Sequence, residues 1–485
     1  MFFRHSGNAI LFHEDVKNTA HEILLRLETT RRLFWNGPVR TGEGSTCQSS
    51  ISAHRRDLLY KSESKPLTNQ PPNGYNATMI ERYISASLAE AMADTPVVLL
   101  NGARQTGKST LAKWHTENVS GTRYLTLDDA TILAAATADP AGFLSGFDGP
   151  VVLDEVQHAP GLFPAIKAEV DRDRRPGRFL LTGSADVMLL PNLSESLAGR
   201  MEILTLWPFS ASELTGSGSL FIDQAFFGGN FSSRQPLESR QELLQRIITG
   251  GFPEVVSRKA ARRRNAWFGS YITTILQRDV RDLANIEHLM LLPRLLSLLA
   301  TRSSCLLNYS ELSRSLGLPQ STLKRYMALL ETTFLMQLLP PWSANLGKRL
   351  VKSPKIMLCD IGLMAYLLGI DSSREIPEHA MGALVENYVI MELWKQLGWS
   401  STRCSLYHFR ERTGKEVDVV LENAAGQVVG IEVKASSTVA KSDFKHLKFM
   451  RESLGDRFLR GVVLYLGTEQ VSFDDTLQAV PLGVV

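Results

Sequence analysis

The chain has 485 residues, of which 44% are apolar and 21% charged, an ordinary globular composition with room for about two to four domains. Its formal net charge of +3 is too small to indicate a nucleic-acid partner, so only local basic clusters bear on that question. The four cysteines are isolated, without a CxxC pair or a histidine at metal-ligand spacing, which argues against a disulfide scaffold or zinc site and favours a reducing compartment.

The sequence gives no reason to expect a membrane partner. No apolar run approaches the length needed to span a bilayer, and the most Leu-rich segment, 289–300, contains a proline and an arginine and is predicted to be a packed helix. The first residues lack the apolar core of a signal peptide. These observations predict a cytoplasmic protein.

Residues 1–78 differ from the rest of the chain. They show no clear hydrophobic period and end in a polar stretch rich in Pro, Asn and Ser, although 21–35 could form a short helix. This composition predicts a disordered or loosely attached extension. The alternative is that the natural start is Met79 and that the upstream residues are wrongly translated.

The next segment, 79–208, begins with a predicted amphipathic helix over 80–92 and continues with short apolar runs separated by longer connections. Runs of this kind, rich in Leu and β-branched residues, are typical of a parallel sheet with helices on both faces. The predicted strands are 97–100, 124–127, 151–153, 179–181 and 203–206.

A glycine-bounded turn joins the first predicted strand to the following helix, which is the context expected for a Walker A motif. Its glycines permit backbone angles that turn successive N–H groups towards phosphate oxygens, and the helix amino terminus favours an anion. Lys108 offers a positive charge to the β and γ phosphates, and Ser109 offers a hydroxyl to Mg²⁺. The predicted ATP-binding residues are Gly102, Ala103, Arg104, Gln105, Thr106, Gly107, Lys108, Ser109 and Thr110.

Two acids end the strand that begins at Val151. Asp154 is predicted to hold Mg²⁺ and Glu155 to orient and polarise the attacking water, as in a Walker B motif. Acids at strand ends are common, but this pair lies 46 residues after Lys108 with one predicted strand between them. The combination therefore supports a nucleotide site more strongly than either motif alone.

Two further segments are candidates for the same site. The strand Phe179–Leu181 runs into Thr182 and Ser184, either of which is placed to sense the γ-phosphate, unless they form a simple turn cap. Arg200 precedes the last predicted strand. It is either an arginine finger for ATP of its own or a neighbouring chain, or a surface residue on a loop.

Residues 209–305 are predicted to be a helical lid or linker. The run Arg258–Arg264 in this region holds five cations in seven residues, and it either contacts phosphates or forms a solvated helix face.

Residues 306–342 predict a winged-helix module, with two short helices split by Gly317 and Pro319 and a wing strand over 334–339. The module either reads a DNA groove or serves only packing and protein contacts. Leu312, Leu316, Leu323, Met327 and Leu330 are expected to pack together, with Gln320, Ser321, Lys324 and Arg325 facing outwards.

After a connector over 343–379, residues 380–485 return to an α/β pattern. Asp418 and Glu432 lie on two predicted strands of one hairpin, and Lys434 shares a face with Glu432 because alternate residues of a strand point the same way. Carboxylates so placed can bind a second divalent metal, with Lys434 beside it and Glu386 from the preceding helix completing the set. The pattern resembles a PD-(D/E)xK nuclease core, although Val417 stands where that motif usually has proline.

The ordered series of motifs resembles a group of bacterial and archaeal AAA-type ATPases whose C-terminal half is a domain of unknown function with a restriction-endonuclease-like core. The stretches that carry the resemblance span about residues 79–475 and include GARQTGKSTL, PVVLDEVQ, FLLTGS, GALVENYVIMEL and IEVKAS. The resemblance implies a P-loop sheet with the sensor strand between the Walker A and Walker B strands, followed by winged-helix and nuclease-like parts.

Three functional hypotheses follow. The first is Mg²⁺-dependent ATP hydrolysis that controls the C-terminal module, with Lys108, Glu155 and Arg200 as catalytic residues. The second is an ATP-gated enzyme that binds or cleaves DNA. The third is a non-enzymatic regulator that uses ATP binding as a switch. An oligomer is compatible with all three.

Overall fold

A computed structural model of the chain describes residues 80–184, 197–218, 220–228, 231, 238–279, 289–344, 352–371, 376–411 and 413–485. The extension predicted for residues 1–78, with its short helix, lies outside these ranges, as does Ser196 before the Arg200 loop. Among the described helices, none is both long and apolar enough to cross a membrane.

The first part of the described chain is a five-stranded parallel sheet in the order β2-β3-β4-β1-β5. Its fourth strand in sequence lies between the strands that carry the two nucleotide-site motifs, as the resemblance implied. The strands are β1 (Val97–Asn101), β2 (Arg123–Thr126), β3 (Val151–Asp154), β4 (Phe179–Thr182) and β5 (Met201–Thr205).

Helices cover both faces of this sheet. Val97 and Leu99 of β1 belong to one buried apolar cluster, and Val98 and Leu100 belong to another on the opposite face, because successive side chains of a strand alternate. Every residue of β1 is buried, which explains its unbroken apolar sequence. The helices are α1 (Ile84–Asp94), α2 (Lys108–Asn118), α3 (Ala130–Ala138), α4 (Pro140–Ser145) and α5 (Leu162–Arg172).

A mainly helical part follows the sheet. Its first helix begins at a capping box, in which the Ser210 hydroxyl accepts from the Glu213 N–H and the Glu213 carboxylate accepts from the Ser210 N–H. The segment 289–300 is helical, and Leu292, Leu295, Leu296 and Leu299 are buried, in agreement with the predicted packed helix. The helices are α6 (Ala211–Thr215), α7 (Phe221–Phe227), α8 (Arg240–Thr249), α9 (Pro253–Val256), α10 (Ala261–Thr274) and α11 (Leu292–Thr301).

The predicted helix-turn-helix is formed by α12 (Tyr309–Leu316) and α13 (Gln320–Thr332). Asn308 caps the first helix, and Gly317 ends it in the left-handed conformation. The five apolar residues expected to pack together are all buried, and the four expected to face outwards are all exposed.

The range 343–379, expected to be a connector, contains two regular elements. β6 (Met336–Leu339) pairs antiparallel with β7 (Lys355–Leu358), and α14 (Ile361–Leu367) follows directly. The four-residue strand β7 has little pattern of its own, and its partner lies across an intervening segment, so its sequence alone does not indicate a strand.

The C-terminal part is a six-stranded mixed sheet in the order β12-β13-β11-β10-β9-β8. The long helix α15 (Glu378–Gln396) packs on one face with Val419 and Ile431, and α16 (Lys445–Leu454) packs on the other with Val420 and Val428. The strands are β8 (Cys404–Arg410), β9 (Glu416–Asn423), β10 (Val428–Lys434), β11 (Phe458–Tyr465), β12 (Val471–Ser472) and β13 (Leu477–Pro481).

Candidate functional site

The glycine turn lies between the carboxyl end of β1 and the amino end of α2. Gly102 has φ 149°, and a Cβ atom there would lie 2.2 Å from the Leu206 carbonyl oxygen, so only glycine fits beneath the chain that leaves β5. Gly107 has φ 98°, which also favours glycine, and Gln105 adopts φ 62° at the exposed top of the turn. The motif therefore has a backbone shape that other residues cannot readily adopt.

The lysine of the turn is folded back over the turn itself. Lys108 is 5% exposed, and its Nζ donates to the carbonyl oxygens of Gly102, at 3.0 Å, and Ala103, at 2.8 Å. The Thr106 hydroxyl also donates to the Ala103 oxygen at 3.0 Å. The Lys108 ammonium group therefore lies across the opening of the turn, so an anion that enters the turn would contact it.

The remaining predicted residues of the turn lie around this centre. The Arg104 carbonyl accepts from the Tyr271 hydroxyl of α10 at 3.4 Å. Thr110 is exposed on the first turn of α2. Ser109 is half-buried and points towards the neighbouring strand β3.

Asp154 meets Ser109 directly below the turn. The Ser109 Oγ donates to Asp154 Oδ1 at 3.0 Å, and the Thr182 hydroxyl donates to the same oxygen. The Tyr124 hydroxyl donates to Asp154 Oδ2 at 2.6 Å. Burial, and then the nearby Asp154 carboxylate, raise the pKa of Tyr124, so the phenol stays a donor. A buried carboxylate with adjacent hydroxyls supplies the hard oxygen ligands that Mg²⁺ prefers, so these residues fit the predicted ion.

Glu155 and Ser184 are joined by a residue that the sequence analysis did not single out. Gln157 Nε2 donates to a carboxylate oxygen of Glu155 and, at 3.2 Å, to the Ser184 Oγ. Glu155 has φ 59° and ψ 46°, and its N–H donates to the Thr182 hydroxyl at 3.1 Å. The predicted base and the predicted sensor are therefore one hydrogen-bonded unit. Gln157 lies only two residues past Glu155, but nothing in its spacing reveals this contact.

A second overlooked residue holds the turn from behind. Arg82 precedes α1, and its guanidinium donates to the carbonyl oxygens of Thr106, at 2.8 Å, and Trp207, at 2.6 Å. Its Nε pairs with the buried Glu213 carboxylate at 3.0 Å. The planar guanidinium of Arg82 thus links the glycine turn to the chain after β5.

Arg200 lies at the opposite end of the sheet from the turn. The Val97 N–H, at the amino end of β1, donates to the Arg200 carbonyl at 3.3 Å, whereas the turn follows the carboxyl end of the same strand. The guanidinium pairs with Asp171 at 2.6 and 2.9 Å. This geometry corrects the alternative that Arg200 acts on ATP of its own chain, because the length of the strand separates them.

The four residues predicted for the second site do converge in the C-terminal part. Asp418 and Glu432 face each other across the β9–β10 hairpin, and Lys434 Nζ lies 3.3 Å from a Glu432 oxygen. Glu386 comes from α15, and burial raises its pKa to about 7. Burial and then the Asp418 carboxylate raise the pKa of Glu432 to about 9.

A fifth residue that the sequence analysis missed lies among these acids. Lys355, from β7, is 1% exposed, and its Nζ lies 2.7 Å from Glu386, 2.9 Å from Glu416 and 3.7 Å from Asp418. Across the part of the chain that the structure describes, no group of three or more His, Cys, Asp or Glu side chains has an arrangement that could hold a metal ion.

A parallel sheet whose first strand enters a glycine turn, with a lysine in the turn and an acid below it from the next strand but one in the sheet, defines a P-loop nucleotide-binding protein. Residues 94–215 match the AAA domain family, residues 240–374 match the domain of unknown function DUF8612, and residues 381–485 match the domain of unknown function DUF4143.

Two mycobacterial proteins are similar over most of the chain. The uncharacterized protein Rv2008c of Mycobacterium tuberculosis and the uncharacterized protein Mb2031c of Mycobacterium bovis are each 33% identical over 415 residues, which is 85% of this chain and 86% of theirs. The chain belongs to the same family of AAA-domain proteins. A RuvB variant structure from Thermotoga maritima covers 53% of this chain and 89% of its own at 17% identity, but its TM-score of 0.25 is too low to support an argument.

Proposed function

We propose that the chain binds ATP at the glycine turn and hydrolyses the bond to its γ-phosphate. The observation that carries the proposal is the 3.0 Å contact between Ser109 and Asp154, which are 45 residues apart in sequence. This contact supports the proposal because it joins the proposed magnesium ligand Asp154 to the residue that follows the proposed phosphate-binding Lys108, the combination that phosphoryl transfer requires. The match to an AAA domain supports the same proposal.

The roles of the residues follow from their positions. Ser109 and Asp154 would hold Mg²⁺, which when bound neutralises phosphate charge and orients the triphosphate. Lys108 exchanges its two carbonyl partners for the β and γ phosphates. The N–H groups of the turn receive the remaining phosphate oxygens, as is usual for a glycine-bounded turn before a helix.

Glu155 accepts a proton from the attacking water. The water oxygen forms a bond to the γ-phosphorus as the bond to the β-phosphate oxygen breaks, and ADP and phosphate leave. Ser184 contacts the γ-phosphate. Because Gln157 hydrogen-bonds to both Ser184 and Glu155, departure of that phosphate affects the catalytic base Glu155.

Two substitutions with matched controls test this proposal. Lys108→Ala should abolish ATP binding, whereas Lys167→Ala, on α5 away from the turn, should not. Glu155→Gln should retain ATP binding and lose hydrolysis, whereas Glu117→Gln at the exposed end of α2 should turn over normally. Hydrolysis by Glu155→Gln at the parent rate would show that Glu155 is not the base. Tight binding with no detectable turnover by the parent protein would instead favour the non-enzymatic switch.

DNA binding through α13 is a second candidate, supported by the exposure of its polar and basic residues. Lys324 and Arg325 are exposed on the second helix of the module, together with Gln320 and Ser321. A helix that exposes polar and basic side chains in this way is suited to contacts with DNA phosphates and bases. Fluorescence anisotropy with duplex DNA at two salt concentrations would test it, since the variant Lys324→Ala should bind more weakly and show a smaller salt dependence.

We propose that Arg200, if it is an arginine finger, acts on the ATP of a neighbouring chain. Its place at the end of the sheet opposite the turn of its own chain supports that assignment. ATPase measurements on mixtures of Arg200→Ala and Lys108→Ala chains would test it, because activity restored by mixing requires residues from two chains. The proposal does not extend to DNA cleavage, because the acids of the predicted second metal site already hold an ammonium group.

A further inference from the structure

The acidic cluster of the C-terminal sheet is held together by a lysine from another part of the chain. Glu386 lies on α15, and Glu416 and Asp418 lie on β9, but Lys355 lies on β7 of the two-stranded sheet that follows the helix-turn-helix. At 1% exposure, the Lys355 side chain is almost completely removed from water. An ammonium group so deeply buried is stable only when anions surround it closely.

The position of this ammonium is fixed by the backbone on both sides. The Leu307 N–H donates to the Pro354 carbonyl at 2.8 Å, and the Ile356 N–H donates to the Cys305 carbonyl at 3.0 Å. On its other edge, β7 pairs with β6. The backbone of Lys355 is therefore held on both edges of its strand, and its buried side chain extends from there to the acids.

A divalent cation does not fit this cluster while Lys355 is in place. A cation bound by the same carboxylates would lie about 2.0–2.6 Å from their oxygens, which is the space that the ammonium now fills. Two further carboxylate oxygens are also engaged: Asp418 Oδ2 accepts from the Val433 N–H at 2.9 Å, and a second Glu416 oxygen pairs with Arg410 at 3.1 Å. These residues therefore do not form the open set of ligands that the predicted second metal requires.

The rest of the cluster is consistent with charge compensation by side chains. Glu432 pairs with Lys434, and its other oxygen is buried without a hydrogen-bond partner among the described residues.

We propose that Lys355 is the resident cation of this cluster, so that the nuclease-like acids form a metal-free ion-pair lock between β7 and the C-terminal sheet. The lock joins the region that matches DUF8612 to the region that matches DUF4143. The resemblance to a nuclease core then concerns only the order of residues on the strands, and the role of the cluster is to stabilise the structure.

Manganese binding by the full chain tests the proposal, with MnCl₂ alone as the probe and free Mn²⁺ followed by electron paramagnetic resonance. Five proteins are compared: the parent, Asp418→Asn, Lys355→Met, the double variant Lys355→Met with Asp418→Asn, and the control Lys352→Met. Lys352 is an exposed lysine three residues away that does not contact the acids.

The parent and Lys352→Met should show no saturable binding dependent on Asp418 below about 1 mM, the weak end of the range for protein oxygen-ligand sites. Lys355→Met frees the carboxylates and should gain one site per chain that is at least about tenfold tighter, and the double variant should lose it.

Parent protein that binds Mn²⁺ saturably, and loses that binding on Asp418→Asn, would overturn the proposal. So would Mg²⁺-dependent DNA cleavage that the same substitution abolishes. If Lys355→Met does not fold, the comparison of the parent with Asp418→Asn still decides the question. Lys355→Arg, which keeps the charge, should then fold and remain without Mn²⁺ binding.

Discussion

Replacing Arg82 by alanine is expected to damage both the fold and the nucleotide site. The change removes the cation from Glu213, whose side chain is 1% exposed, and breaking a buried pair in this way costs about 3–5 kcal/mol. Glu213 keeps the N–H groups of Ser210, at 2.8 Å, and Tyr83, at 2.9 Å, so we expect the lower end, about 3 kcal/mol. That is about a hundredfold in the unfolding equilibrium.

The same substitution also releases the Thr106 carbonyl at the back of the turn. One hydrogen bond of this kind contributes about 1 kcal/mol, so the dissociation constant for ATP should rise about fivefold. Urea denaturation and equilibrium ATP binding measure the two effects. Arg82→Lys is the matched control: it keeps a charge near Glu213 but cannot bond both carbonyls, so it should recover much of the stability and little of the affinity. An Arg82→Ala protein with parental stability and parental affinity for ATP would refute this account of the Arg82 contacts.

Three other predictions concern single residues. Gly102→Ala should abolish ATP binding, because its Cβ would overlap the Leu206 carbonyl, whereas Gly382→Ala on α15 has open space and should bind ATP as the parent does; equal binding by both would contradict the steric argument. Gln157→Ala should lower kcat about tenfold, the effect of about 1.4 kcal/mol, and leave KM nearly unchanged, because Gln157 orients Glu155 and does not reach the phosphates; steady-state kinetics decide, and a change confined to KM would exclude this role. Burial and then the Lys355 ammonium lower the pKa of His408 from 6.5 to about 4, so the native state excludes a proton that the unfolded state binds, and stability should fall as pH drops from about 6.5 towards 4, by up to about 3 kcal/mol. Free energies of unfolding, measured by urea titration at several pH values in this window, should depend more steeply on pH in the parent than in His408→Gln. The same pH dependence in both proteins would count against this role of His408.

The sequence was most informative where structure depends on neighbouring residues. The strand before the turn, the turn itself and the helix after it were predicted because glycine conformation and apolar periodicity are local properties. The structure has β1 at Val97–Asn101, one residue longer than the predicted strand 97–100, and a helix, α2, begins at Lys108. The same local logic located the β9–β10 hairpin, since two short strands with a brief connection pair with each other.

Contacts between distant segments were decided only by the tertiary structure. Arg82 and Thr106 are 24 residues apart, and Lys355 and Glu386 are 31 apart, with no motif linking either pair. The position of Arg200 shows the converse: it belongs to the series of motifs, yet the direction of its strand places it at the end of the sheet opposite the glycine turn.

The composition and spacing of the chain thus determined which local shapes could form, because each residue restricts its own backbone and the faces of its own helix or strand. They did not determine which long side chain would fill a given buried space. That choice depends on how several elements pack at once, and it separates an acidic cluster open to a metal from one in which Lys355 already supplies the positive charge.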